Sequence, residues 1–452
     1  MRQQDQLALT WLPPDHPHAR ELEVIGRLLD SEPRFARLVA QDLACGVKAP
    51  QTGAPGLTAD QVLRIVILKQ MNEFSYEALA FHLADSLTYR AFCRLGAFDG
   101  APARSTLAEN VGKLRARTLE KINRRLVRRA VALGVEDGRR VRTDSTVTET
   151  HIHHPTDSTL LLDGVRSLAR LLDRAETVVR FGSWTDHTKR AKRRALGIQH
   201  TGSPVRRAAA YRDLLKVTRK TLRYAEAAVT ALEDAQAAAE AARLETPAAK
   251  LGRQVKELMV WVWAVVDQTE RRVLKGESVP AGEKVVSLFE PHTDVIVKDG
   301  RETLYGHKIF LSTGASGLVT DCLIADGNPA DTTLAVPMLR RHARVVGRMP
   351  RQAAMDGGFA STENLRAGKA LGIEDLCFAK KRNLAVPDMV RSSWVYRRLR
   401  DFRAGIEGII SFLKRAFGLD RCTWKGREAF DAYVWASIVS ANLLTIARHL
   451  LT

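Results

Sequence analysis

Cysteine is scarce in this chain and poorly placed for cross-linking. Cys45, Cys93, Cys322, Cys377 and Cys422 are odd in number, scattered, and form no CxxC pair, which argues against a zinc knuckle or a disulfide framework and fits a reducing compartment. The opening stretch MRQQDQLALTWLPPDH lacks a basic region followed by an apolar core, so it does not read as a secretory signal. Long hydrophobic runs are missing too. The best candidate, YVWASIVSANLLTIA, falls short of the roughly 20 apolar residues that span a bilayer and contains two Ser, an Asn and a Thr. No membrane association and a cytoplasmic location are the expectations.

Acidic residues are also in deficit. Against 51 Asp and Glu stand 70 Lys and Arg, giving a net charge of +19 over 452 residues. A chain so basic is suited to a phosphate-rich partner, because neutralising phosphates releases their counterions. A soluble basic protein without such a partner would carry the same charge. With 45% hydrophobic residues the chain can bury a large core, and its length implies two or three domains or one core with a large insertion.

Residues 1–135 read as an all-α N-terminal module, a candidate DNA-binding unit. Thr58 and Gln61 form a capping-box pattern ahead of an apolar run, Ser75 opens SYEALAFHLADSLTYRAFCRL, and Thr106 with Glu109 repeats the capping pattern before a last helix. In that helix Val111, Leu114, Ile122 and Leu126 keep one face apolar, while residues 113–129 hold eight basic residues and one acidic residue, a face that suits either solvent or DNA.

GRRVRTDSTVTE then reads as a strand within a segment 136–158, followed by a helical insertion over 159–280. Strand signals resume over 281–425. The order is two strands (TLYGHKIFLST, LVTDCLIAD), then a helix, the strand RQAAMD, a helix, the strand DLCFAKK and a long helix containing RDFRAGIEGIISFLKRAF. Residues 426–452 form a terminal helix that packs on the core. This order predicts an α/β fold in which a mixed sheet is covered by helices.

Three acids are marked by context. Asp144 interrupts a run of β-formers. Asp356 ends a strand ahead of Gly357 and Gly358, which leave its oxygens open and let another group approach the backbone. Glu407 lies four residues after Arg403 and seven before Lys414, so the three share one side of a helix. Taken singly, Asp356 is accounted for by an Asp-Gly turn and Glu407 better by a solvated ion pair than by a site. Together, two carboxylates on strands and one on a later helix are a donor set for a pair of Mg²⁺ ions, the arrangement that activates water or a 3′-hydroxyl in phosphodiester displacement.

The blocks RTDSTVTETHIHHPTDS, YGHKIFLSTG, MDGGFAST and RAGIEGIISFLKR resemble, in order, those of bacterial insertion-sequence transposases with a DDE, ribonuclease-H-like catalytic domain. LTADQVLRIVILKQMNEFSYEALAFHLADSLTYRAF is similar to the helical module that precedes that domain in many of them. The resemblance implies a ribonuclease-H-like mixed sheet interrupted by a helical insertion, with Asp144, Asp356 and Glu407 as catalytic acids and ligands of Mg²⁺, for which Mn²⁺ can substitute. It implies double-stranded DNA as partner, both element terminal repeats and target, and a homodimer or larger synaptic complex. The family's signature of Tyr, two residues, Arg, three residues, Glu, six residues, Lys is matched at Arg403, Glu407 and Lys414, whereas its Tyr position holds Arg400. Arg400, in place of the tyrosine, is thus an implied DNA contact, and Arg403 and Lys414 are implied to hold DNA phosphates or to orient the acidic helix. A structure-specific nuclease and a catalytically silent DNA-binding descendant are the rival readings.

Other positions carry weaker expectations. Lys308 sits in a strand beside the acids and can reach a phosphate or serve as a sheet-edge charge, with His307 next to it. KRAKRR, containing Lys189, Arg190, Lys192, Arg193 and Arg194, reads as a phosphate-contact loop or a solvated charge run. Asp331 reads as a helix N-cap or as a carboxylate supporting the site, and Asp157 as a cap or turn residue. His151, His153 and His154 are too closely spaced to close one metal cage easily and read as structural or DNA-proximal. Trp261 and Trp263 suit packing more than base stacking.

Overall fold

A computed structural model describes residues 14–46, 56–96, 99–239, 246–298 and 302–452. Most of the opening stretch read as lacking a signal lies outside them, as do residues 240–245 of the expected helical insertion. The described chain runs α1 (Pro17–Asp30), α2 (Arg34–Leu43), α3 (Ala59–Met71), α4 (Tyr76–Asp85), α5 (Leu87–Phe92), α6 (Arg104–Gly112), α7 (Ala116–Ala132) and β1 (Arg140–Thr150). It continues with α8 (Asp157–Glu176), α9 (Thr188–His200), α10 (Pro204–Ala239), α11 (Pro247–Thr269), β2 (Asp294–Lys298), β3 (Glu302–Thr313) and β4 (Val319–Ile324). The last part holds α12 (Ala335–Val346), β5 (Gln352–Met355), α13 (Thr362–Ala370), β6 (Asp375–Phe378), α14 (Val386–Met389), α15 (Ser393–Ala416), β7 (Arg421–Cys422) and α16 (Arg427–Leu451). Two compact units result: Met1–Glu149 with His307–Thr452, and Thr150–Gly306.

In the first unit the capping signals act locally. The Thr58–Gln61 box closes in both directions at the start of α3, and Ser75 caps α4. Ser86 accepts from Tyr89 N and starts a separate helix, α5, so the segment that reads as one helix from sequence is two. Thr106 does not cap. It lies inside α6, whose N-cap is Ala103 without a side-chain bond, and a break at 113–115 precedes α7. The apolar residues Val111, Leu114, Ile122 and Leu126 are all buried.

Helix α16 is long and apolar enough to span a membrane, yet 72% of its apolar window is buried within the protein. It shares one core with α3, α7 and residues of β3 and β4. Asn442 fixes its register, donating to Asn123 Oδ1 at 2.7 Å and to the Val319 carbonyl at 2.8 Å while its own oxygen accepts from Val319 N at 2.9 Å. Buried amides bonded on every side in this way specify one packing of α7, β4 and α16 rather than a sliding apolar contact.

The sheet is mixed. β1 pairs in parallel with β5, β5 in parallel with β6, and β3 antiparallel with β4, with β1 between β3 and β5 and short β7 also on β1. This α/β, ribonuclease-H-like architecture matches the class expected from sequence. β7 went unread because two residues carry no period.

The second unit contains α8–α11 around its own apolar core, and β2 paired antiparallel with Glu302–Gly306 of β3. β2 was not expected from the sequence. Two expectations are corrected here. Thr156, in a reciprocal capping box with Thr159, is the cap of α8, whereas Asp157 is buried at its first residue and accepts from Gln268 at 3.1 Å and Arg272 at 3.0 Å. KRAKRR is not a loop but part of α9. Ala191, Ala195 and Ile198 bury the helix while its basic residues face out.

Candidate active site

Sheet register brings the two aspartates together. Thr143 of β1 lies opposite Met355 of β5, so the next residues along these parallel neighbours are Asp144 and Asp356. β5 stops at Met355 and Asp356 opens a short 3-10 turn over Gly357–Phe359, leaving its carboxylate at the end of the strand. Parallel strands thus place at one sheet end two side chains more than two hundred residues apart.

The third acid reaches this point through one cation. Arg403 of α15 lies 2.6 Å from Asp144 Oδ2 and 3.3 Å from Asp356 Oδ1 through Nη2, and 2.7 Å from Glu407 Oε1 through Nη1. All three carboxylates therefore converge on a single guanidinium. The Asp144 side chain is 13% exposed and that of Glu407 67%. Burial is the main cause that pushes the Asp144 carboxyl up to about 6, opposed by Arg403 and the Ser145 amide and reinforced by Asp356 and Asp331.

Close packing sets the position of α15. Gly405 lies between Arg403 and Glu407, and a Cβ there would overlap the guanidinium of Arg142. That guanidinium donates to the Phe402 carbonyl at 2.7 Å and to Thr313 Oγ1 at 3.0 Å, and stacks over the Phe402 ring. Arg142 and Gly405 thus dock the acidic helix on β1. Neither stood out in the sequence, where RAGIEG shows a glycine in a helix but not what it meets.

The glycines after Asp356 act as expected, through space and not through positive φ. A Cβ on Gly357 would overlap the stem of Lys380, and one on Gly358 would overlap Asp331 Oδ2. Asp331 starts a 3-10 turn whose N-cap is Ala330, so it is not the cap of the following helix. Its carboxylate is 2.7 Å from Lys308 Nζ and accepts from Ser145 Oγ at 3.3 Å. Lys308 also donates to the Pro329 carbonyl at 3.0 Å, so the structure places it in an internal bracket beside Asp144.

The remaining residues are dispersed. Lys414 pairs with Asp420 at 3.1 Å, and Arg400 is exposed without an ion pair among the described residues. In the second unit Arg190 and Arg194 bind Asp213, while Lys189, Lys192 and Arg193 face solvent. His153 lies 3.4 Å from Asp163, His154 meets the Tyr305 ring edge-on, and His307 is buried against Phe430 and Arg427. Trp261 packs on the helical core and Trp263 is 39% exposed.

Among the described residues no three His, Cys, Asp or Glu stand at metal-ligand spacing. The three acids have the chemistry of a divalent-cation site, hard oxygen donors only, but their present spacing is that of a guanidinium held between them.

Two family models match. The transposase domain family DUF772 covers residues 8–113, and the transposase DDE domain covers 297–443, which includes Asp356, Arg403, Glu407 and Lys414. No curated protein and no solved structure matches the chain. Asp144 lies outside both matched segments, so its place beside the other acids rests on sheet register and on Arg403. With helices in the first matched segment, a ribonuclease-H-like sheet in the second and acids of the expected order meeting at that sheet's end, the chain belongs to the insertion-sequence DDE transposases.

Proposed function

We propose that this transposase cleaves a phosphodiester at each end of its element and joins the freed 3′ end to target DNA, with Asp144, Asp356 and Glu407 as the catalytic acids. The observation that carries this reading is the convergence of those carboxylates on Arg403. Mg²⁺ or Mn²⁺ held by the three acids would activate the attacking hydroxyl and offset charge on the leaving oxygen. The chain's own residues prepare that step. Desolvated Asp144 and strand-end Asp356 would hold the cation against which the scissile phosphate is placed, and the Glu407 carboxylate would close that donor set from the helix side. Arg403, released from the acids, grips a phosphate in the bidentate geometry that guanidinium favours.

Arg400, Lys414 and Lys308 line the approach to the acids as further phosphate contacts, Lys308 after exchanging Asp331. In the second unit, exposed Lys189, Lys192 and Arg193 hold DNA phosphates, with Arg190 and Arg194 engaged by Asp213. Two ends must be joined, which calls for a homodimer or larger synaptic complex acting on chromosomal or plasmid DNA in the bacterial cytoplasm.

The test is strand transfer. Labelled duplex carrying the sequences that flank the gene is incubated with protein, Mg²⁺ and a supercoiled target plasmid. Label joined to plasmid by wild type and not by Glu407→Gln is the expected result. Cleaved ends that never join would identify a nuclease, and binding without cleavage a silent DNA-binding protein.

A further inference from the structure

Beyond the acids, the first unit contains a cavity of about 750 Å³, within the size range of small-ligand sites, of whose lining only Lys414 has a part in the steps above. Its walls come from the end of α3 and the following turn, the start of α6, the end of α15 and the segment around β7. Five basic residues line it, Lys69, Arg104, Lys414, Arg415 and Arg421, against three acids, Glu73, Glu77 and Asp420. Asp420 is taken by Lys414, and Arg421 by Glu149.

Lys69 is the unusual member. It is 5% exposed, and its ammonium has no carboxylate partner among the described residues; its neighbours are the Cys422 thiol and the Tyr76 ring, 5.0 Å away. A buried ammonium without an anion is costly. Burial accordingly lowers its pKa to about 8, and an anion entering the cavity would raise it again by stabilising the ammonium. The indole N–H of Trp424, on another wall, also lacks an acceptor. Glu73, at the rim, holds a left-handed φ of 52°, a strained backbone of the kind found at binding sites.

Lys69, Arg104 and Arg415 make no ion pair among the described residues, and with Phe74, Tyr76, Trp424 and Tyr433 beside them they suit a ligand that is both anionic and planar. We propose that this cavity binds one nucleoside phosphate, its phosphate on Lys69 and Arg104 and its base among the aromatic side chains. The position suits a strand engaged at the acids, because Lys414 lies seven residues beyond Glu407 on α15, about 10 Å along the axis. The ligand's chemistry stands on the cavity; only its source, a nucleotide unpaired from the element's DNA, rests on the transposase reading.

Calorimetric titration of the full chain with thymidine 5′-monophosphate, inorganic phosphate and thymidine tests the site. The expected result is that the monophosphate binds more tightly than either part, and that Lys69→Gln and Arg104→Ala each weaken it about tenfold or more. Arg104 is exposed, so its substitution remains informative if Lys69→Gln fails to fold. Equal binding of monophosphate and phosphate, or binding unchanged in folded variants, would overturn the proposal. Labelled duplexes with and without one unpaired terminal nucleotide distinguish the sources. A preference for the unpaired end that Arg104→Ala removes assigns the ligand to DNA, whereas no preference with monophosphate binding intact leaves the site as one for free nucleotide. DNA joined normally without any monophosphate binding sinks the site alone; monophosphate binding without DNA binding sinks the transposition reading alone.

Discussion

Arg403 of α15 and Asp144 of β1 form an ion pair of 2.6 Å across 259 residues of sequence, and the same guanidinium also contacts Asp356 and Glu407. One cation therefore compensates the three carboxylates proposed above as the metal ligands. Arg403→Gln should leave mutually repelling acids and cost about 3 kcal/mol in EDTA. Mg²⁺ should recover more stability in this variant than in wild type. Denaturant unfolding with and without Mg²⁺ measures both, and an unchanged midpoint in EDTA would show that the guanidinium does not compensate the acids.

Asp144 gives the metal-free protein a distinctive pH response. Its carboxyl is raised by burial to about 6 from an ordinary 3.8, so between those values the folded state keeps a proton that the unfolded chain has lost. Stability should then fall as pH rises through that window. Asp144→Asn removes this term, and its stability relative to wild type should improve from pH 4 to pH 7. A constant difference across that range would count against a desolvated acid.

Gly358→Ala would place a methyl group against Asp331, which cannot easily retreat because Lys308 and Ser145 hold it. A loss of about 1–3 kcal/mol and reduced DNA cleavage are expected. Gly197→Ala is the contrast: exposed on α9 with nothing near its Cβ position, it should stabilise by up to about 1 kcal/mol. Thermal melts of the two variants decide whether space at 358 matters.

Replacing Lys189, Lys192 and Arg193 together by Ala should weaken DNA binding independently of sequence. Each lost phosphate contact should flatten the dependence of log affinity on log salt by about 0.9. Removing Arg190 and Arg194, already engaged with Asp213, should change that slope less. Anisotropy titrations over a range of NaCl concentrations give the slopes.

The sequence was most informative where the signal is local. Capping at Thr58 and Ser75, the buried faces of α7 and the strand around Asp144 follow from residues close in the chain. β2 escaped because DVIVK is short and pairs on one side only. Within the helical insertion, KRAKRR read as a loop or charge run because its charged residues conceal the spacing of Ala191, Ala195 and Ile198. At the site, context drew attention to the three acids and Arg403, and the resemblance to the family's ordered blocks singled them out. What meets Gly405 and Gly358, and what Lys308 grips, depends on contacts between distant segments and so has no local signature.

The most direct test compares Mg²⁺-dependent nicking of end-bearing DNA by wild type, Asp144→Asn, Asp356→Asn and Glu407→Gln, each first shown to be folded and to bind DNA. The account predicts nicking at the repeat boundary by wild type and none by any of the three. Nicking retained by one folded variant would remove that acid from the centre, and nicking retained by all three would place the chemistry elsewhere in the protein.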